Sequence, residues 1–333
     1  GAFTVRIRPR GGLPLGDLLG NIHSRLSPSR SANWPIAVRK LWSLASVATL
    51  VAGTLVCGPS NPAETPDTRA TTGGQSVHWP ESLDRFRFHW SSSPSLALTT
   101  GVAVPIRAYL ESWYIASWTN DPENVYPGFL RATPESADLD GNYLGQLAWI
   151  RPLNGAPPYP VDPAKPLGYM PMHIQSVDAV ASGLRVTVCL GEYSIYFASD
   201  SSAGKLVSVA ADKSTAQLAD PLDTVRVKRI ELTKTDPRIP AGASDVDTPQ
   251  EGPAPAPAGD VFGHWFITGA SSSLWGPVNA KPRPDFFVTR EMRRQCQEAM
   301  PDSPEMQIEM ATGFKDSPPP HGKPIPGWPL APQ

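Results

Sequence analysis

The chain has 333 residues, a net charge of −2, and 18% charged residues against the roughly one-quarter usual for globular proteins. An apolar share of 40% excludes a fully disordered chain, and the acidic balance argues against a protein that binds nucleic acid through bulk charge. Proline stands at 39 residues, about twice the usual share, and clusters at 59–66, 152–171, 249–257 and 318–332. One compact region with Pro-rich joints is the expected organisation.

Residues 1–33 carry Gly, Pro, Ser and Arg without periodicity and read as a flexible basic tail. Residues 1–40 hold seven basic side chains against Asp17 alone, a net of +6, which leaves −8 for the remainder. Then comes the apolar run Leu41–Cys57, with Arg39 and Lys40 just before it. As a helix it spans roughly 26 Å, a little short of a bilayer core of about 30 Å. Ile36, Ala37 and Val38 extend it, Trp34 and Trp42 suit the interface, and Gly58-Pro59 stops it. Residues 34–57 are therefore expected to form a single transmembrane helix. The positive-inside rule places the N-terminus in the cytoplasm and the main domain outside. The run is also near the length of a signal-peptide core, so a cleaved, secreted form stays open.

Residues 58–98 read as a linker and an extended arm, and Phe86, Phe88 and Trp90 at period two mark either a short strand or an extended packed segment. Residues 99–300 are expected to form an extracytoplasmic α+β domain. Its strongest helix is 101–118, capped by Thr99 or Thr100 and ended by Asn120-Asp121-Pro122. Ala103, Ile106, Leu110 and Trp113 fall on one face, with Arg107 and Glu111 as an i, i+4 pair on the other. From 172 the period changes to two. Strands are expected at 172–180, 184–198, 205–210, 224–234 and 261–269, with a Pro/Ala insertion at 245–259 as a flexible excursion. A helix over 289–300 follows, and 301–333 reads as an exposed Pro-rich tail. The fold class expected is α+β: a curved antiparallel sheet packed on an amphipathic helix, behind one membrane helix.

Three cysteines occur. In an oxidising compartment Cys189 and Cys296 are a candidate disulfide, the alternative being two buried thiols, while Cys57 lies at the membrane edge. Asp138, Asp140 and Asn142 open like a calcium loop, but the twelfth position is Trp149 where a Glu is needed. No metal or other cofactor is expected. Phosphate-binding glycine loops and a nucleophile elbow are absent. Arg226, Lys228, Arg229 and Lys234 alternate as a solvated strand face would.

The order of elements, carried by AVPIRAYLESWYIASW (103–118), LRVTVCLGEYSIYF (184–197), TVRVKRIELTK (224–234) and DVFGHWFITG (260–269), resembles the nuclear-transport-factor-2-like (SnoaL-like) cone fold. With a basic tail and one anchor, the architecture is similar to bitopic assembly subunits of type IV secretion and conjugation machines, and to actinobacterial (mycobacterial) envelope proteins. That resemblance implies a membrane-bound binding or assembly protein with protein partners or self-association. Cone-fold enzymes place an Asp or a His/Asp pair in the cavity, which makes His264, His173, Asp121 and Glu192 the candidates for an isomerase or dehydratase acting on a small apolar ligand. Trp113, Tyr114, Tyr193, Tyr196 and Trp265 are the candidates for a pocket or partner surface.

Overall fold

The computed structural model describes residues 79–135, 141–152, 164–281 and 287–331. The stretch expected to span the membrane, 34–57, lies outside them, as do Asp138 and Asp140. Among the described residues no helix is long and apolar enough to cross a membrane.

The architecture is α+β. Seven strands form one curved sheet: β1 (Phe86–Ser92), β2 (Leu167–Val180), β3 (Gly183–Gly191), β4 (Ile195–Ala198), β5 (Leu206–Ser208), β6 (Val225–Thr233) and β7 (Phe266–Ser271). Their order is β5-β4-β2-β3-β6-β7, and β1 lies along the free edge of β2. All pairings are antiparallel except β1–β2, which is parallel from Phe86↔Gly168 to Ser92↔Ile174. Of the two readings of the stretch around Phe86–Trp90, the strand is the one observed.

Strand periodicity sorts the two faces. Met172, Ile174, Val186, Val188, Leu190, Ile230 and Leu232 point to one face and join the main core. Helix α1 (Ala103–Thr119) contributes Ile106, Tyr109, Leu110 and Ile115 to that core. Cys189, Val225 and Val227 point the other way and meet Cys296 and Met300. That second face is covered by α2 (Arg290–Ala299) and α3 (Pro304–Ala311), capped by the side chains of Thr289 and Ser303. The sheet is therefore the middle of three layers.

Several sequence expectations are corrected. The run 184–198 is two strands, because the chain turns at 192–194, where Glu192 N–H is taken by Thr224 O and Ile195 N–H by Glu192 O. The last strand begins at Phe266, not 261; Trp265 N–H closes a turn onto Phe262 O just before it. The capping position before α1 is Val102, with no side-chain cap, so neither Thr99 nor Thr100 caps the helix. At the other end Asn120 adopts the left-handed conformation (φ 51°) and ends the helix as expected. The Pro/Ala insertion is not a free excursion, since Ala254 and Ala256 are buried. Nor is 301–333 simply an exposed tail: it contains α3, and Trp328 is 1% exposed.

Candidate functional site

Two buried polar sites adjoin helix α1, one built on Arg107 and Glu111 of the helix and the other on Lys228 of β6 against Trp113. Arg107 and Glu111 sit on adjacent turns, and both are buried, contrary to the solvated pair expected from their spacing. Burying a charge is tolerated only when its hydrogen-bonding capacity is filled. Glu111 Oε1 accepts from Trp90 Nε1 at 2.7 Å, and Oε2 accepts from Tyr126 OH and Trp328 Nε1, each at 2.8 Å. Indole N–H groups only donate, so the site is complementary to a carboxylate. Burial still raises the pKa of Glu111, against the pull of Arg107 and the three donors.

Arg107 faces main-chain carbonyls rather than a carboxylate. Its Nη1 donates to Leu98 O and Gln250 O at 3.1 and 3.0 Å; its Nη2 donates to Pro326 O and Gly327 O at 2.8 and 3.1 Å. The guanidinium lies 4.1 Å from the centre of the Trp328 ring. Only its Nε lacks a partner among the described residues. Arg107 and Glu111 therefore gather β1, the Pro/Ala insertion and the C-terminal segment around one helix. Gly327 fits because its backbone runs so close to the insertion that an added Cβ would lie 2.2 Å from Gly252 O.

The second site is built on Lys228, whose side chain was expected in solvent. It is 5% exposed, because β6 has both of its faces covered. The Nζ lies 4.4 Å from the centre of the Trp113 ring, and no carboxylate pairs with it among the described residues. Burial lowers its pKa to about 7, helped by the positive Arg226 nearby. Arg226 itself is paired with Glu192 at 2.6 Å. Trp113 makes an edge contact with Tyr114 at 5.2 Å and donates its indole N–H to Trp149 O. Arg229, expected in solvent beside Lys228, is buried as well and donates to Ser273 O.

The five aromatic candidates are thus divided among three places. Trp113 and Tyr114 attend Lys228. Tyr193 OH donates to Asp302 Oδ2 at 2.8 Å, and Tyr196 OH donates to Met310 O at 2.6 Å, so both serve the α2–α3 layer. Trp265 lies under Lys234 Nζ, 4.9 Å from its ring centre. Lys234 pairs with Asp245, which also approaches His264 Nδ1 at 3.2 Å. His173 Nδ1 is 2.9 Å from Ser91 Oγ. Asp121 accepts from the N–H of Glu123 and shapes the turn after α1. No contact among the described residues joins His264, His173 and Asp121 into one constellation. Cys189 and Cys296 are joined by a disulfide, with Cα atoms 5.2 Å apart.

Two shallow clefts lie on the described surface. One of about 440 Å³ opens between Leu130, Thr133 and Phe266, with three arginines on its walls. Those arginines are engaged: Arg131 with Asp260, Arg238 with Asp236, and Arg151 with Thr133 and Leu130 O. The other, of about 40 Å³ beside Phe197 and Val207, has room for little more than water. Among the described residues no group of three or more His, Cys, Asp and Glu side chains is placed to hold a metal ion. The signal for the Glu111 site was present in the sequence as Trp90, Tyr126 and Trp328, but these are spread over more than 200 residues. No family model, curated protein or solved structure matches this chain.

Proposed function

We propose that the chain is a membrane-anchored binding or assembly protein of a bacterial envelope, with its N-terminus in the cytoplasm and its α+β domain outside. An accessory role in a secretion or conjugation machine fits that arrangement. The observation that carries the reading is that the most buried carboxylate is held by structural partners. That carboxylate, Glu111, accepts from three donors of the protein itself, which ties it to β1, Tyr126 and the C-terminal segment as a structural group. Two further features support it: the disulfide, a bond favoured in oxidising compartments, and the charge step across Leu41–Cys57.

The alternative, a cone-fold isomerase or dehydratase on a small apolar substrate, draws on one observation. Lys228 has its pKa lowered to about 7, within the range useful for proton transfer. Its nearest described partner is the Trp113 ring, a contact that also serves packing. The secreted form released by signal peptidase shares the same outer domain.

Membrane fractionation, protease shaving of spheroplasts and mass spectrometry of the N-terminus test the proposal. The expected result is an intact N-terminus, a membrane-bound chain and an outer domain open to external protease. A mature form lacking residues before Cys57 favours secretion. A freely soluble cytosolic chain removes the proposal.

A further inference from the structure

Tyr126 has one hydroxyl proton and two acceptors within reach. Its oxygen lies 2.8 Å from Glu111 Oε2 and 3.2 Å from Pro255 O, which belongs to the Pro/Ala insertion. The residue is fixed by its own N–H, which donates to Ser112 Oγ on α1, and by an edge contact of its ring with Trp328 at 6.0 Å. With Glu111 ionised, the hydroxyl gives its proton to the carboxylate, and its oxygen then faces the Pro255 carbonyl with lone pairs on both sides. With Glu111 protonated on Oε2, the carboxyl donates to the Tyr126 oxygen, and the hydroxyl turns to donate to Pro255 O. Trp90 and Trp328 keep their bonds to Oε1 and Oε2 in both states. The site therefore takes up a proton without moving a heavy atom, and the protonated form satisfies one acceptor more.

We propose that Glu111, Tyr126 and Pro255 form a proton-sensitive lock on the C-terminal segment, which is held while Glu111 carries a proton and loosens at Trp328 when that proton leaves. Three observations support the lock. Of the three donors to Glu111, Trp90 sits in a strand and Tyr126 is tied to α1, whereas Trp328 belongs to a segment paired by four main-chain bonds. These are Trp90 N–H to Ile325 O, Ile325 N–H to Phe88 O, and the two bonds exchanged by Ala254 and Trp328. That segment is the part with least to lose on opening. Arg107 does not require an ionised partner, because four carbonyls and the Trp328 ring already surround its charge. Burial is the largest influence on the Glu111 carboxyl and raises its pKa, although Arg107 and the three donors pull the other way.

The other ionisable groups at the site hold their state. Arg107 on α1 and Arg87 on β1 stay charged. Tyr126 keeps its proton, since burial first and Glu111 second raise its pKa well above the ordinary value. Glu251, on the insertion, is exposed and acts on Arg107. Folded Glu111 binds its proton more tightly than the unfolded chain does. The stabilisation is therefore fully present below the ordinary value of 4.5 and lost as pH rises through the raised folded value. Release of Trp328 rehydrates the carboxyl and has the same sign, so opening the lock sheds a proton. The lock rests on the domain's own geometry and is independent of the envelope placement.

The test uses the full-length chain labelled with 5-fluorotryptophan, its Trp90 and Trp328 resonances assigned through Trp90→Phe and Trp328→Phe. Infrared spectra over a pH series follow the carbonyl stretch of protonated carboxyl groups, and Glu111→Gln identifies the Glu111 band. That band is expected to outlast those of exposed carboxyls and then to disappear at higher pH. Over the same step the solvent-isotope shift of the Trp328 fluorine should at least double, while that of Trp90 stays unchanged. In Glu111→Gln, whose amide supplies a permanent N–H toward Tyr126, Trp328 should stay protected throughout. The lock is overturned when the Glu111 band disappears together with the exposed carboxyls, or when it disappears and Trp328 stays protected. Equal loosening of Trp328 in Glu111→Gln, or a band that persists until the whole domain unfolds, overturns it as well. Where Glu111→Gln does not fold, the parent alone decides: a late carboxyl step coinciding with the Trp328 step upholds the lock, and steps at different pH remove it.

Discussion

The two faces of the sheet are closed by different means. On the α2–α3 face, Cys296 is bonded to Cys189 near the end of β3, and the helices are held further by Gln297 and Gln307 around Thr224. On the α1 face the closure is non-covalent: Trp328 lodges between Arg107 and Glu111 and brings its backbone against Ala254. A covalent tie responds to redox conditions and not to charge. A polar clasp responds to the loss of any one donor, because each buried partner then lacks part of its coordination. The Lys228 site, also on the α1 face, adds a contrast, since its ammonium has an aromatic ring in place of an acceptor.

The largest effect is expected from Trp328→Ala. It leaves a cavity and removes a donor from Glu111 together with the stack on Arg107, a loss of about 4 kcal/mol by denaturant unfolding. A loss below about 1 kcal/mol would show that the clasp is ornamental and break the contrast between the faces. Next is reduction of the disulfide, or Cys189→Ser with Cys296→Ser. The bond closes a span of 107 residues, and its removal is expected to cost about 2–4 kcal/mol. Protease sensitivity should then rise first at α2 while the Trp328 environment, followed by near-ultraviolet dichroism, persists.

Lys228→Met has the opposite sign. The folded state holds this amine near pKa 7, whereas the unfolded chain binds its proton up to about 10.5. The parent's stability should therefore gain a component that rises from pH 7 to 10.5. The variant should lose that component and be more stable at pH 7 by about 2 kcal/mol, read from unfolding curves at several pH values. A destabilised variant would mean that the ring contact with Trp113 outweighs the cost of burying the charge. The smallest effect belongs to Asp245→Asn. The Lys234 bond, with the His264 N–H, lowers the Asp245 pKa to about 2. Its stabilisation is present above the ordinary carboxylate range and lost as pH falls toward 2. The pair is exposed and screened, so the change should stay below about 1 kcal/mol and vanish in high salt.

The sequence made the elements legible far better than their surroundings. Helix α1, its stop at Asn120, and strands β2, β3 and β6 follow from periodicity, with boundaries off by a few residues. Burial did not follow in the same way. Arg107 and Glu111 have the spacing of a surface ion pair, and nothing local reveals that their partners lie 143 and 217 residues further on. Lys228 and Arg229 fall in an alternating strand, but alternation assigns a side chain to a face and does not say whether that face is covered. The C-terminal segment misled for a related reason. Proline marks chain that cannot build regular ladders, yet an extended proline segment makes a good ligand for a groove with free backbone groups. The signal within it was Trp328, a large aromatic in a stretch otherwise read as solvent-exposed.

Residues 287–331 follow all seven strands in the chain, yet they close both faces of the sheet. A ribosome therefore releases the strands after α1, which covers one face, but before α2 and α3, which cover the other. The nascent sheet carries bare Val225, Val227 and Cys189 on one side and an unfilled Trp328 site on the other until synthesis has passed residue 328. Chaperone dependence during that interval, and prompt degradation of chains stalled between Ser271 and Thr289, follow directly from the order in which the parts are made.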